Sequence, residues 1–78
     1  MTHLTAEQHR ALAMIADAGL NGCTDGMLGV QGFSIGLLSR LVHNDLVTVT
    51  LERVRVSGEL IEVAKFRITE AGRQAMAR

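Results

Sequence analysis

The residues able to hold a metal are His3, His9, Cys23 and His43. Zinc is bound by ligands that come in closely spaced pairs, because a tetrahedral shell must be closed by a few turns of chain. These four stand singly and far apart in sequence, so neither a metal nor another cofactor is expected. One cysteine cannot form an internal disulfide. Cys23 is expected to act as a small buried hydrophobe and not as a redox sensor. Covalent catalysis needs a nucleophile beside a base, and no motif supplies that pairing. The glycines are spread over turns, with no Gly-Lys-Ser run to cradle a phosphate. No carboxylate pair falls in a plausible cleft. The chain is therefore not expected to be an enzyme.

The remaining chemistry is that of charge. Eight basic and eight acidic residues cancel over 78 residues. A strongly basic nucleic-acid binder and a polybasic membrane peptide are thereby excluded. The charges are unevenly placed, however. Residues 1–33 hold one basic and three acidic side chains, and residues 34–78 hold seven and five. The second half carries a formal +2 against −2 in the first. A chain this short buries roughly 60% of its unfolded surface. Its 47% hydrophobic content suits one core, so one domain over residues 1–78 is expected. There is no proline and no low-complexity tract. No stretch approaches the roughly 18 apolar residues of a membrane span. The start of the chain lacks an apolar run behind basic residues, which makes cytoplasm the expected location.

The elements that must position these charges can be read in order. Thr5 and Gln8 form a T-x-x-Q capping box. Ala11, Leu12, Met14, Ile15, Ala16 and Ala18 then recur at helical spacing, predicting a helix over 5–18. Gly19 and Asn21-Gly22 end it. A weaker helix starts at the cap Thr24, with Asp25 favourable against its dipole. Gly26 and Gly29 each cost about 1 kcal/mol there relative to alanine, so packing of Met27, Leu28 and Val30 must hold it. Gly32-Phe33-Ser34 is a turn, with Phe33 expected to plug the core and Ser34 to cap a third helix. The apolar stripe of that helix is Ile35, Leu38, Leu41 and Val42, with Leu37 beside it. Asn44-Asp45 ends it, since both residues accept the left-handed conformation.

After Asp45 the period changes from 3.6 to 2. Val47, Val49 and Leu51 alternate with Thr48 and Thr50. Ser57-Gly58 is a two-residue hairpin turn. That turn sets Val56 opposite Glu59, Arg53 opposite Glu62, Leu51 opposite Ala64, Val49 opposite Phe66 and Val47 opposite Ile68. On the other face Thr50 meets Lys65 and Thr48 meets Arg67. Apolar residues then meet apolar ones, and Arg53 meets an opposite charge, as cross-strand pairing favours. Thr69 caps a last helix over 70–77, with Ala71, Ala75 and Met76 as its apolar face. Glu70 in its first turn and Arg73 and Arg78 further on follow the helix dipole.

The order helix, helix, helix, strand, strand, helix resembles the winged helix-turn-helix domain of bacterial transcription regulators, most like the MarR and PadR types. Three segments carry the likeness. Gly32-Phe33-Ser34 is similar to the family's Gly-apolar-Ser turn. Leu38 and Leu41 lead into Asn44-Asp45-Leu46-Val47. Phe66-Arg67-Ile68-Thr69-Glu70-Ala71-Gly72-Arg73 looks like the segment that closes many such wings. The resemblance implies an α+β fold, a three-helix bundle with a β-hairpin wing, and a short first strand near Cys23. It also implies duplex DNA as partner, the third helix in the major groove and the wing on the backbone. Carried over by position, the contacts fall on Ser34, Gly36, Ser39, Arg40 and His43 in the helix, and on Arg53, Arg55, Lys65 and Arg67 in the wing.

Groove readout uses side-chain donors and acceptors, arginine to guanine most often. The third helix offers Arg40 as its only permanent cation, and Gly36 stands where the family often has a polar or basic side chain. Glu52, Glu59 and Glu62 partly offset the wing's basic set. Phosphate contacts supply most non-specific affinity, so two copies about a two-fold axis should bind better than one. Val54, Ile61 and Val63 fall on the hairpin face opposite Val49, Leu51 and Phe66. Apolar residues on both faces suggest a covered surface, either in a homodimer or against a protein partner. A protein-interaction module without DNA binding is the alternative function.

Overall fold

The computed structural model describes residues 4–77. His3, weighed above as a ligand, and Arg78, placed above in the last helix, lie outside the described residues. Four α-helices and a three-stranded antiparallel sheet make up an α+β fold. Helix α1 spans Ala6–Asp17, and its capping box forms as expected. The Gln8 amide donates to Thr5 Oγ1 at 3.0 Å, and the Thr5 amide donates to Gln8 Oε1 at 2.9 Å. Gly19 opens a 3-10 turn over Gly19–Asn21. Strand β1 is Cys23–Thr24, and helix α2 is Asp25–Val30. Helix α3 spans Ile35–His43. Strands β2 (Val47–Val56) and β3 (Glu59–Ile68) form the hairpin, and helix α4 (Glu70–Met76) follows.

The register of the hairpin is the one the turn implies, from Val56 opposite Glu59 to Val47 opposite Ile68. Ser57 and Gly58 both have positive φ, 52° and 84°, as a type I′ turn requires. Strand β1 adds to the other side of β3, with Cys23 opposite Phe66, so the strand order is β1-β3-β2. The core joins Ala11, Leu12 and Ile15 of α1, Leu28 of α2, and Leu37, Leu38 and Leu41 of α3 to Cys23, Leu46, Val47 and Phe66. Phe33 is half-buried and packs against this core. Most of the sheet beyond Val49 is uncovered by helices. The hairpin accordingly stretches the molecule to 45 Å against 22 and 20 Å in the other directions. The Cα radius of gyration, 12.7 Å, exceeds the about 11.5 Å of a compact chain this long.

Three helix faces differ from the sequence expectation. In α2 only Leu28 points inward, while Met27 and Val30 are exposed. Six residues make fewer than two turns, so one position can face the core squarely. In α3 the buried stripe is Leu37, Leu38 and Leu41, and Ile35 is 71% exposed. Leu37 and Leu41 lie four apart and turn the helix so that Ile35 falls at the rim. In α4 Ala71 is exposed, and the inward residues are Gly72, Ala75 and Met76. The junction before this helix sets that phase. Thr69 Oγ1 accepts from the Gly72 amide at 2.9 Å and donates to the Asp45 carbonyl at 2.6 Å.

Candidate nucleic-acid interface

The outer face of α3 follows from which face is buried. With Leu37, Leu38 and Leu41 inside, the 3.6-residue period turns Ile35, Gly36, Ser39, Arg40 and His43 to solvent, and all five are exposed. Ser34 is exposed too, but its Oγ accepts the Leu37 amide at 3.1 Å as the N-cap. Two depressions flank the helix. One, of about 310 Å³, lies toward the start of α1 and is lined by Glu7, Gln8, Gly36 and Arg40. The other, of about 340 Å³, lies between α3 and the hairpin and is lined by Ile35, Ser39 and His43 with Val49 and Phe66. Ser39 and His43 thus share a groove with the hairpin face that carries Val49. Alternation along β2 puts Arg53 and Arg55 on that same face. Both are exposed. Arg55 Nη1 reaches back to the Gly58 carbonyl at 3.3 Å.

Lys65 and Arg67 occupy the opposite hairpin face, so the structure divides the expected wing set in two. Their charges are engaged there by Glu52. Arg67 Nη2 lies 2.9 Å from Glu52 Oε2, and Lys65 Nζ lies 3.6 Å from Glu52 Oε1. Arg67 also donates through Nη1 to Thr50 Oγ1 at 2.9 Å and through Nε to the Leu20 carbonyl at 2.8 Å. Its guanidinium ties the hairpin to the 3-10 turn, which leaves it poorly placed to meet a phosphate. The sequence expectation paired Arg53 with Glu62 instead. They are cross-strand neighbours, yet among the described residues neither forms an ion pair. Exposed pairs gain little over solvation, whereas Glu52 collects several donors at once. The role of Glu52 was hidden in sequence because Val63 is its direct neighbour. Lys65 lies on the diagonal and Arg67 one same-face position beyond it, within reach only of long side chains.

Hydrogen bonds from Arg67 and Thr50 hold the Glu52 carboxyl below its ordinary pKa, and the nearby Arg67 and Lys65 charges add to this. A pKa lowered by folding stabilises the native state above the unfolded value. That contribution is lost as pH falls through the lower, folded value. A carboxyl-carbon NMR titration is expected to place the Glu52 midpoint below that of a glutamate in an unfolded peptide. Arg67→Ala should move it back up. An unshifted midpoint in the parent protein would contradict the cluster.

Cys23 is buried, with its Sγ 3.5 Å from the Met14 carbonyl, and burial raises its thiol pKa. Its burial in the core is the one expected of a small hydrophobe. Among the described residues no group of three or more His, Cys, Asp and Glu could hold a metal. No helix there is long and apolar enough to cross a membrane. No family model matches the chain, and neither does any curated protein or solved structure. The candidate site has a polar helix face with the exposed Arg53 and Arg55 on one side of the hairpin, and Lys65 and Arg67 held by Glu52 on the other.

Proposed function

We propose that this chain is a small winged helix-turn-helix protein that binds duplex DNA and regulates transcription, acting as a dimer. The observation that carries the reading is the shared side of α3 and the hairpin. Ser39 and His43 of the helix line a groove with Val49, the exposed Arg53 and Arg55 lie further along the same hairpin face, and the exposed Arg40 lies on the adjoining side of the helix. In this reading Ser39 and Arg40 approach base edges in the major groove, where arginine reads guanine. Arg53 and Arg55 sit on phosphate and fix the register without reading sequence. Lys65 and Arg67 drop out of the contact set because Glu52 already holds them.

Each phosphate neutralised contributes about −0.9 to the slope of log affinity against log salt. Two phosphate-bound arginines per copy then predict a slope of about −2 for one copy on random duplex DNA, and about twice that for two. Arg40→Ala with Arg53→Ala should lower the per-copy slope by about 1, through the lost Arg53 phosphate contact, and weaken binding throughout the titration. Absence of binding at low salt would overturn the reading. A second reading has its own support, since Val49, Leu51, Leu60 and Ile61 are 41% to 69% exposed and the net charge is zero. A protein-interaction module on the same fold would leave duplex DNA unbound and retain a protein ligand.

A further inference from the structure

Strand β2 is an outer strand of the sheet. It is ten residues long, and the chain has no proline to blunt its edge. A two-residue turn makes Val56 and Glu59 a hydrogen-bonded pair, and such pairs alternate along an antiparallel ladder. The even-numbered residues of β2 therefore bond to β3. The amides and carbonyls of Val49, Leu51, Arg53 and Arg55 point away from it, toward the open edge. An edge of this kind is a template for another strand. We propose that the occupant is β2 of a second copy, paired antiparallel about a two-fold axis through Leu51, giving one continuous six-stranded sheet.

Charge selects both the occupant and the register. With Leu51 opposite Leu51 of the second copy, Val49 meets Arg53, Thr50 meets Glu52 and Thr48 meets Val54. No like charges face each other, and the overlap extends over residues 47–55. Sliding the copies toward the hairpin tip sets Glu52 against Glu52, then Arg53 against Arg53, then Arg53 against Arg55. Like charges directly opposite are destabilising. Sliding the other way shortens the overlap by two residues at each step. The free edge of β3 is a poorer site. Beyond Lys65 it has no partner strand, but its outward groups belong to Leu60, Glu62 and Ala64, and pairing about its middle would set Glu62 against Glu62. Joining β2 to β3 head to tail would not close and would lead to open chains. The Leu51 register also gathers exposed apolar side chains. Leu51 is 69% exposed and Val49 41% exposed in the single chain, and both lie at the centre of the pairing.

The pairing has a consequence for the groove beside α3. Val49 lines that groove with Ser39 and His43, and the residue opposite Val49 is Arg53 of the second copy. Each groove thereby receives a cation from the other chain. The dimer itself rests on the open edge and not on DNA binding, so the two can fail separately.

Sedimentation equilibrium of the intact chain without DNA tests it. The mass should rise with concentration from 8.4 kDa to twice that value. Leu51→Pro removes an outward amide without touching the ladder to β3, and should weaken dimerisation at least ten-fold with the circular dichroism spectrum retained. Cross-linking covers the case in which that variant misfolds. Leu51→Cys under copper-catalysed air oxidation should yield a covalent dimer, because the two Cα atoms of such a pair lie about 5.5 Å apart. Val54→Cys should not, since its counterpart is roughly 20 Å away along the strand. A chain that stays monomeric at every concentration overturns the proposal. So does a dimer that a folded Leu51→Pro leaves intact, or one in which Val54→Cys cross-links in preference to Leu51→Cys.

Discussion

Gly72→Ala is expected to destabilise the protein by about 3 kcal/mol, the scale of inserting a methyl group into a space that cannot expand. In an open helix the same change stabilises, because alanine exceeds glycine in helix propensity by about 1 kcal/mol. Position 72 reverses the sign because of its neighbours. A Cβ there would strike the Leu46 carbonyl and come within 2.7 Å of Ile68 Cγ1. The carbonyl cannot move aside, since it accepts the Thr69 amide at 3.0 Å. Thr69 in turn caps α4 and donates to the Asp45 carbonyl. A shift at Leu46 would therefore disturb the end of α3, the start of β2 and the cap of α4 together. Thermal unfolding should show a fall in Tm of about 15 °C. Gly29→Ala serves as the contrast. Its Cβ meets nothing within 4 Å and it lies inside α2, so a gain of about 0.4–1 kcal/mol is expected. Equal stability of Gly72→Ala and the parent protein would refute the close approach.

Phe66→Ala should cost about 3–5 kcal/mol, the range for emptying a buried aromatic site. Phe66 is 6% exposed, lies in the central strand, and faces Cys23 on one side and Val49 on the other. It is the point where the helices meet the sheet, and it also floors the groove beside α3. A domain of this size has about 4–12 kcal/mol of stability in all, so the loss is a large share of it. Leu51→Ala on the same hairpin face is the control. Its side chain is 69% exposed, and surface substitutions usually stay within about 0.5 kcal/mol. Urea unfolding of both variants, at a concentration where the chain is monomeric, checks the pair. Similar midpoints for the two would mean that Phe66 does not anchor the hairpin.

Both predictions concern residues whose type was visible in sequence but whose surroundings were not. Gly72 stood in the Thr-Glu-Ala-Gly segment, where capping explained Thr69 and nothing explained the glycine. The Leu46 carbonyl that requires it arrives from the far end of the hairpin. The difference between Phe66 and Leu51 likewise depends on how far along the sheet the helices extend. The resemblance to a winged domain placed the short strand near Cys23. Composition and periodicity alone did not, because two residues are too few to show a period.

Local chemistry was enough for the elements and their caps. Thr5, Thr24, Ser34 and Thr69 each cap the helix that follows. The Ser57-Gly58 turn, acting with period-2 alternation, determined every hairpin pair, because a two-residue loop leaves the strands one register. Sequence by itself thus determined the order of the four helices and the hairpin, the caps that start those helices and the pairing of β2 with β3, all consequences of hydrogen bonds between near neighbours in the chain. Tertiary structure alone decided which way α2, α3 and α4 turn, that Glu52 gathers Lys65 and Arg67, and that Ser39 and His43 of α3 come beside Val49. Those outcomes depend on through-space competition for the core and for charge. A short helix with apolar residues on several sides has many phases of similar local energy, and only packing against distant residues separates them.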